Sequence, residues 1–205
     1  MVWCDEKKLL FVHIPKCGGS TVEHKLNLQN GKNGFRLIKN INSTKAMHHF
    51  SIEEYKNFFN ETRYNNFNKL TIVRNPYSKF ISEYYYFKRK KKGLLKDISL
   101  EDFLIYTEKL HENNFSNSEY NLYNDHFYTQ SSFLYDNKSI NIDNIFKLEN
   151  FNEIKKYIDE NYPNEKKWKH LDKNNIKKKI ELSDVQKKRV YQLFKEDFIN
   201  FNYPE

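Results

Sequence analysis

Leu9-Leu10-Phe11-Val12-His13-Ile14-Pro15-Lys16-Cys17-Gly18-Gly19-Ser20-Thr21 is the stretch on which the fold turns. Leu9 to Ile14 is an apolar run broken only by His13, the pattern of a strand buried in a parallel sheet. Pro15 stops it. Gly18 and Gly19 then let backbone N–H groups come close to an anion, and Ser20-Thr21 open a helix whose positive end faces the same point. Lys16 adds a mobile positive charge. A Walker A loop, G-x-x-x-x-G-K-[ST], is the obvious comparison, but it needs an earlier glycine and a Gly-Lys pair. Here the lysine precedes the glycines, so this is a phosphate cradle of another kind.

A second strand-to-helix junction lies at Leu70-Thr71-Ile72-Val73-Arg74-Asn75-Pro76-Tyr77-Ser78-Lys79-Phe80-Ile81-Ser82-Glu83-Tyr84-Tyr85. Pro76 suits the first turn of a helix, which places Arg74 at the strand end and Ser82 about two turns into the helix. A guanidinium and a hydroxyl so spaced suit one phosphate gripped from two sides. Ligands of open α/β sheets collect at such strand ends.

At these residues the chain resembles the sulfotransferases that use 3′-phosphoadenosine 5′-phosphosulfate (PAPS), in the branch holding the Golgi carbohydrate enzymes for chondroitin, dermatan and heparan chains. His13 to Thr21 is similar to that family's H-[IV]-P-K-[TC]-[GA]-[GS]-[ST]-[ST] loop. Val73-Arg74-Asn75-Pro76 through Ser82 is similar to its R-[DHN]-P-x5-S loop. The resemblance extends to His126-Phe127-Tyr128-Thr129-Gln130, like H-W-x-P-Q, and to Phe146-Lys147-Leu148-Glu149-Asn150-Phe151, like K-[LF]-E-[ND]-[LF]. It ends with Leu182-Ser183, Val190-Tyr191 and the segment from Asp197 to Tyr203.

The resemblance implies an α/β fold with a central parallel sheet flanked by helices, P-loop-like, and PAPS as cosubstrate. It assigns Lys16, Cys17, Gly18, Gly19, Ser20 and Thr21 to the 5′-phosphosulfate and Arg74 and Ser82 to the 3′-phosphate. His126 and Gln130 are candidates for contact with the acceptor or the cosubstrate and, equally, for ordering their own loop. Met47-His48-His49-Phe50-Ser51 looks like the family's G-H-[FV]-[ST] element, which points to His49 as general base with His48 as fallback. His49 would lie just before a helix capped by Ser51, where a neutral imidazole is favoured, as a base near pH 7 must be. Relatives with two histidines one residue apart have the earlier one where this chain has Met47. His13 reads as a positioned core polar residue rather than a base.

The chain's 205 residues with 38% hydrophobic content fit one catalytic domain, residues 1–205, around one core. A net charge of +8 favours an anionic cosubstrate and an anionic glycan acceptor. Lysine clusters occur at 88–92, 166–169, 177–179 and 187–189. No helix-turn-helix, zinc or RNP pattern accompanies them, so nucleic acid is not expected as a partner. Cys4 and Cys17 form no disulfide framework, and His111 and His170 have no metal-ligand spacing, so no metal is expected. No signal peptide or apolar span long enough for a membrane is legible, which leads to the cytoplasm as expected location, or the Golgi lumen for a truncated chain.

Further elements are expected as a short strand over Phe35 to Lys39, a helix from Ser51 to about Phe59, a helix after Ser99, a last strand from Asn144 to Leu148, and helices over about Asn150 to Asn161 and Ser183 to Phe198. His111 to Ser132 lacks a clear period and reads as an active-site loop or lid. Tyr84 to Phe87 are expected to pack between their helix and the sheet. The segment from Trp168 to Asn175 is the candidate for adenine contacts. Three other functions are weighed: a P-loop phosphotransferase, for which the Gly-Lys pair is missing, a tyrosine-acceptor sulfotransferase, to which the resemblance is poorer, and a catalytically silent glycan-binding protein of the same fold.

Overall fold

A computed structural model describes residues 2–28, 47–89, 95–115, 121–137, 139–164, 166–169 and 180–205. The chain divides into two compact units, one of Met1–Arg74 with Gln130–Asn174 and one of Asn75–Thr129 with Asn175–Glu205. Strands are β1 (Trp3–Cys4), β2 (Leu9–Val12), β3 (Asn68–Val73), β4 (Tyr135–Asp136), β5 (Ser139–Ile140) and β6 (Asn144–Lys147). Helices are α1 (Gly19–Leu26), α2 (Ile52–Phe58), α3 (Glu61–Asn65), α4 (Pro76–Lys88), α5 (Leu100–Glu112), α6 (Phe151–Asn161) and α7 (Asp184–Asn200).

The first unit is α/β. Its sheet runs β1-β2-β3-β6, with β2, β3 and β6 parallel and β1 antiparallel at the edge; β4 and β5 form a separate antiparallel pair. The register sets Val12 opposite Thr71 and Val73 opposite Lys147, so the three parallel strands finish side by side. The Thr71 hydroxyl donates to the Val12 carbonyl at 2.8 Å and secures that edge. Leu9, Phe11, Leu70, Ile72 and Phe146 pack with Val22 and Leu26 of α1 and Ile154 and Ile158 of α6. Each such side chain, once fully buried, contributes about 1.5–3 kcal/mol.

The second unit is helical among the described residues. Phe80, Tyr84 and Phe87 of α4 join Phe103 and Leu104 of α5, Phe127, and Val190, Phe194 and Phe198 of α7 in one core. This corrects the expectation that the aromatic run from Tyr84 to Phe87 packs on the sheet. Tyr84 and Phe87 are buried among helices, while Tyr85 and Tyr86 are partly buried against the same cluster.

Local signals place most helix starts. Ser51 and Glu54 form a reciprocal capping box on α2, and Ser183 with Gln186 does the same on α7. Asn75 caps α4, whose first turn holds Pro76, and Ser99 caps α5. The first core strand stops at Val12 rather than Ile14, because the Ile14 carbonyl accepts from the Cys17 N–H at 3.3 Å and turns the chain. The segment read as a loop or lid is packed in part. Asn121–Phe127 forms 3-10 turns, and Asn124, Asp125, His126 and Phe127 are buried, because the Phe127 ring belongs to the helical core. The strand expected over Phe35 to Lys39 lies outside the described residues.

Candidate active site

The loop after β2 carries the first group of expected residues. Gly18, at φ +82, caps α1, and the N–H groups of Gly19 and Ser20 open its first turn, where a helix has no carbonyl of its own to offer them. No acidic side chain occupies that turn. Lys16 is left-handed as well, at φ 61, and is half-buried, as are Gly18 and Ser20, whereas Cys17, Gly19 and Thr21 are buried. The loop thus presents Lys16, Gly18 and Ser20 outward in a cradle suited to an anion. Cys17 turns inward: its N–H is bonded to Ile14, and its thiol donates to the Gln130 side-chain oxygen at 3.2 Å.

Arg74 follows β3 at the carboxyl edge of the sheet, beside this loop. One guanidinium nitrogen donates to the Lys16 carbonyl at 3.2 Å. Gln130, fully buried, is bonded to the Arg74 backbone on both sides: its oxygen accepts from the Arg74 N–H at 2.8 Å and its amide donates to the Arg74 carbonyl at 2.8 Å. Because the same oxygen accepts from Cys17, one amide ties the end of β3 to the anion loop. Gln130 therefore serves the protein's own backbone, the loop-ordering role that sequence reasoning weighed equally with contact to a bound molecule.

A histidine cluster stands next to the loop. Met47–His49 forms a 3-10 turn held by the Tyr55 hydroxyl, which donates to the Met47 carbonyl at 2.7 Å. Burial first, then the charges of Glu23 and Glu54, push the Tyr55 phenol well above its ordinary range, so it stays a neutral donor. The His48 and His49 rings lie 3.9 Å apart between centroids, and the His13 ring meets them edge-on at 5.7 and 5.2 Å. His13 Nδ1 is hydrogen bonded to a Glu23 carboxylate oxygen inside the fold. Burial works against the Glu23 anion, but the adjoining His13 and, further off, His48 outweigh it and keep its carboxyl below the ordinary value. Sequence reasoning missed Glu23. Its only signal was its place on α1, ten positions after a histidine that follows a strand.

The remaining expected residues belong to the helical unit. Ser82 is buried on α4. His126 Nδ1 is 2.7 Å from Glu83 Oε2, the Lys79 amine donates to Glu83 Oε1 at 3.3 Å and to the His126 carbonyl at 2.9 Å, and the His126 ring stacks on Tyr86. All three side chains are buried. The Lys79–Glu83 spacing of four on a helix was readable, but nothing in the sequence shows that the pair is buried. Basic clusters are partly neutralised: Arg189 pairs with Glu101 and Glu108, and Lys187 with Asp184. Residues 90–94 and 177–179 lie outside the described residues, as do His170 to Asn175 of the expected adenine segment. Trp168 itself is bonded to Asp159 and packs on Phe151. Among the described residues, no helix is long and apolar enough to cross a membrane.

No curated protein and no solved structure matches the chain. The model of the Sulfotransferase family, however, matches residues 1–204, and so takes in the loop after β2, the Arg74 junction and the histidine turn together. With nearly its whole length matched and its glycine loop at the carboxyl edge of a parallel sheet, the chain belongs to the Sulfotransferase family, enzymes that transfer sulfuryl groups.

Proposed function

We propose that the protein transfers the sulfuryl group of PAPS to a hydroxyl of a carbohydrate, giving a sulfate ester and 3′-phosphoadenosine 5′-phosphate (PAP), with residues 1–205 working as one catalytic domain. The observation that carries this reading is the convergence of Lys16, the opening turn of α1 and the Arg74 guanidinium at one sheet edge. That donor set fits a nucleotide with separate 5′ and 3′ anionic groups. Lys16 neutralises the oxygens that gain charge as the S–O bond breaks, and the N–H groups of Gly18, Gly19 and Ser20 hold the 5′-phosphate. Arg74 takes the 3′-phosphate, with Ser82 added on the strength of the R-x-P-x5-S spacing. His49 removes the proton of the attacking hydroxyl, and His48 beside it is the second choice.

Calorimetric titration with PAP, ATP and AMP tests the cosubstrate. We expect tight binding of PAP alone, weakened in Arg74→Ala by about 10–100-fold, since charged hydrogen bonds are worth about 1.5–3 kcal/mol. Preference for ATP would transfer the site to phosphotransferases. His49→Ala separates an enzyme from a silent glycan binder: PAP binding persists and turnover of labelled PAPS with a glycan acceptor is lost. A chain that binds glycan and never turns over PAPS would sink the catalytic reading.

A further inference from the structure

We propose that Glu23 and His13 form a carboxylate–imidazole brace that positions the His48–His49 pair and balances the positive charge it acquires during transfer. The catalytic half of this proposal rests on His49 as base. Both members of the brace are buried, with Glu23 8% and His13 6% exposed. A buried carboxylate is stable only when paired, and here its partner is His13 Nδ1. That bond gives Nδ1 the donating proton and fixes both ring orientation and tautomer.

The opposite edge of the ring is fixed as well. A Cβ added to Gly19 would lie 2.5 Å from His13 Cδ2 and 2.6 Å from Nε2, so the imidazole occupies the space a side chain on the anion loop would need. His13 therefore touches three parts at once: Glu23 of α1, the opening turn of α1 at Gly19, and the two histidine rings. On the α2 side, Glu54 is bonded to the Ser51 N–H and Tyr55 to the Met47 carbonyl. Glu23 is thus a buried anion paired with a ring of the cluster itself, and its field reaches His48.

During transfer the acceptor oxygen bonds to sulfur, its proton passes to His49, the bridging S–O bond breaks, and that electron pair stays on the departing 5′-phosphate of PAP. His49 then carries a positive charge beside the His48 and His13 rings. Glu23 offsets that charge through His13, and neither brace residue gains or loses a proton.

Glu23→Gln keeps the size and removes the charge. In turnover of PAPS on desulfated chondroitin, kcat should fall about tenfold or more, with PAP affinity unchanged within about twofold. Without the anion the imidazolium is less stable, so the acid limb of the pH profile should move to lower pH. NMR titration of the histidine ring signals should show the same downward movement without any acceptor. Should Glu23→Gln fail to fold, Glu23→Asp retains the charge at shorter reach and should move both readouts less, in the same direction. Unmoved ring titrations and an unmoved acid limb, with turnover still lost in His49→Ala, would overturn the brace and leave the base assignment standing. Turnover surviving in His49→Ala would overturn the catalytic half of the proposal, whatever the ring titrations show.

Discussion

Gly19 is the point at which the anion loop and the histidine cluster share space, because its missing side chain is what lets the His13 ring lie against the first turn of α1. Gly18 is a glycine for a different reason. Its φ of +82 is strained for any L-residue, and a Cβ there would meet the Leu148 Cδ1 at 2.7 Å, the free end of a rotatable side chain. In Gly19→Ala the obstacle is a ring held by Glu23 and unable to swing aside. We expect Gly19→Ala to cost about 1–3 kcal/mol of stability through overpacking, and to reduce turnover more than Gly18→Ala does, because it displaces His13 as well as the loop. Urea unfolding of the two variants with turnover measured on both checks this. Equal turnover would mean that His13 is not held in place against Gly19.

The ends of β2 and β3 are joined by one side chain from a distant part of the sequence. Gln130 satisfies the N–H and C=O of Arg74 and accepts from Cys17; the Cys17 bond is buried and the two to Arg74 are partly so. Gln130→Ala leaves backbone groups without partners, at about 1–3 kcal/mol each. We expect a loss of at least about 2 kcal/mol in chemical denaturation, together with weaker PAP binding, since Arg74 loses its backbone anchor. A variant as stable as wild type would show that water replaces the amide without cost. The parallel strands, the capped helices and the glycine turn before α1 were legible because each rests on local chemistry: apolar runs for β2 and β3, Ser51 and Ser183 as caps, Pro76 in a first turn, Gly18 where φ is positive. Gln130 was legible as a motif residue but not as a brace, because its partners are 56 and 113 positions away. Burial of Lys79, Glu83 and His126 was illegible for the same reason. A polar residue looks solvated in sequence until the fold encloses it, and the turns around Asn121–Phe127 follow from the Phe127 ring entering the helical core rather than from any local period.

Charge acts on the molecule as a whole. With 35 Lys and Arg against 27 Asp and Glu, the protein is already cationic at neutral pH, and every carboxylate protonated on acidification adds to self-repulsion. Among the carboxylates held below their ordinary values, Asp5 beside Arg63 lies at the surface, where solvent screens the pair and little stability depends on it. Glu23 differs in being buried with His13. Its carboxyl titrates lower in the folded chain than its ordinary 4.5, so between those two values the unfolded chain binds more protons. The contribution of Glu23 is therefore complete above that ordinary value and is lost as pH falls through the folded one. We expect the urea midpoint to drop as pH is lowered below about 4.5, the drop to be shallower in Glu23→Gln, and Asp5→Asn to follow the wild-type curve. Added salt should raise the acid-side midpoint of wild type, because screening within about 10 Å at 0.1 M weakens the repulsion among surface cations while leaving the buried His13–Glu23 pair nearly untouched. A Glu23→Gln curve that keeps the full wild-type slope would show that the buried carboxylate is not the group whose protonation unfolds the chain, and would assign acid sensitivity to the net charge alone.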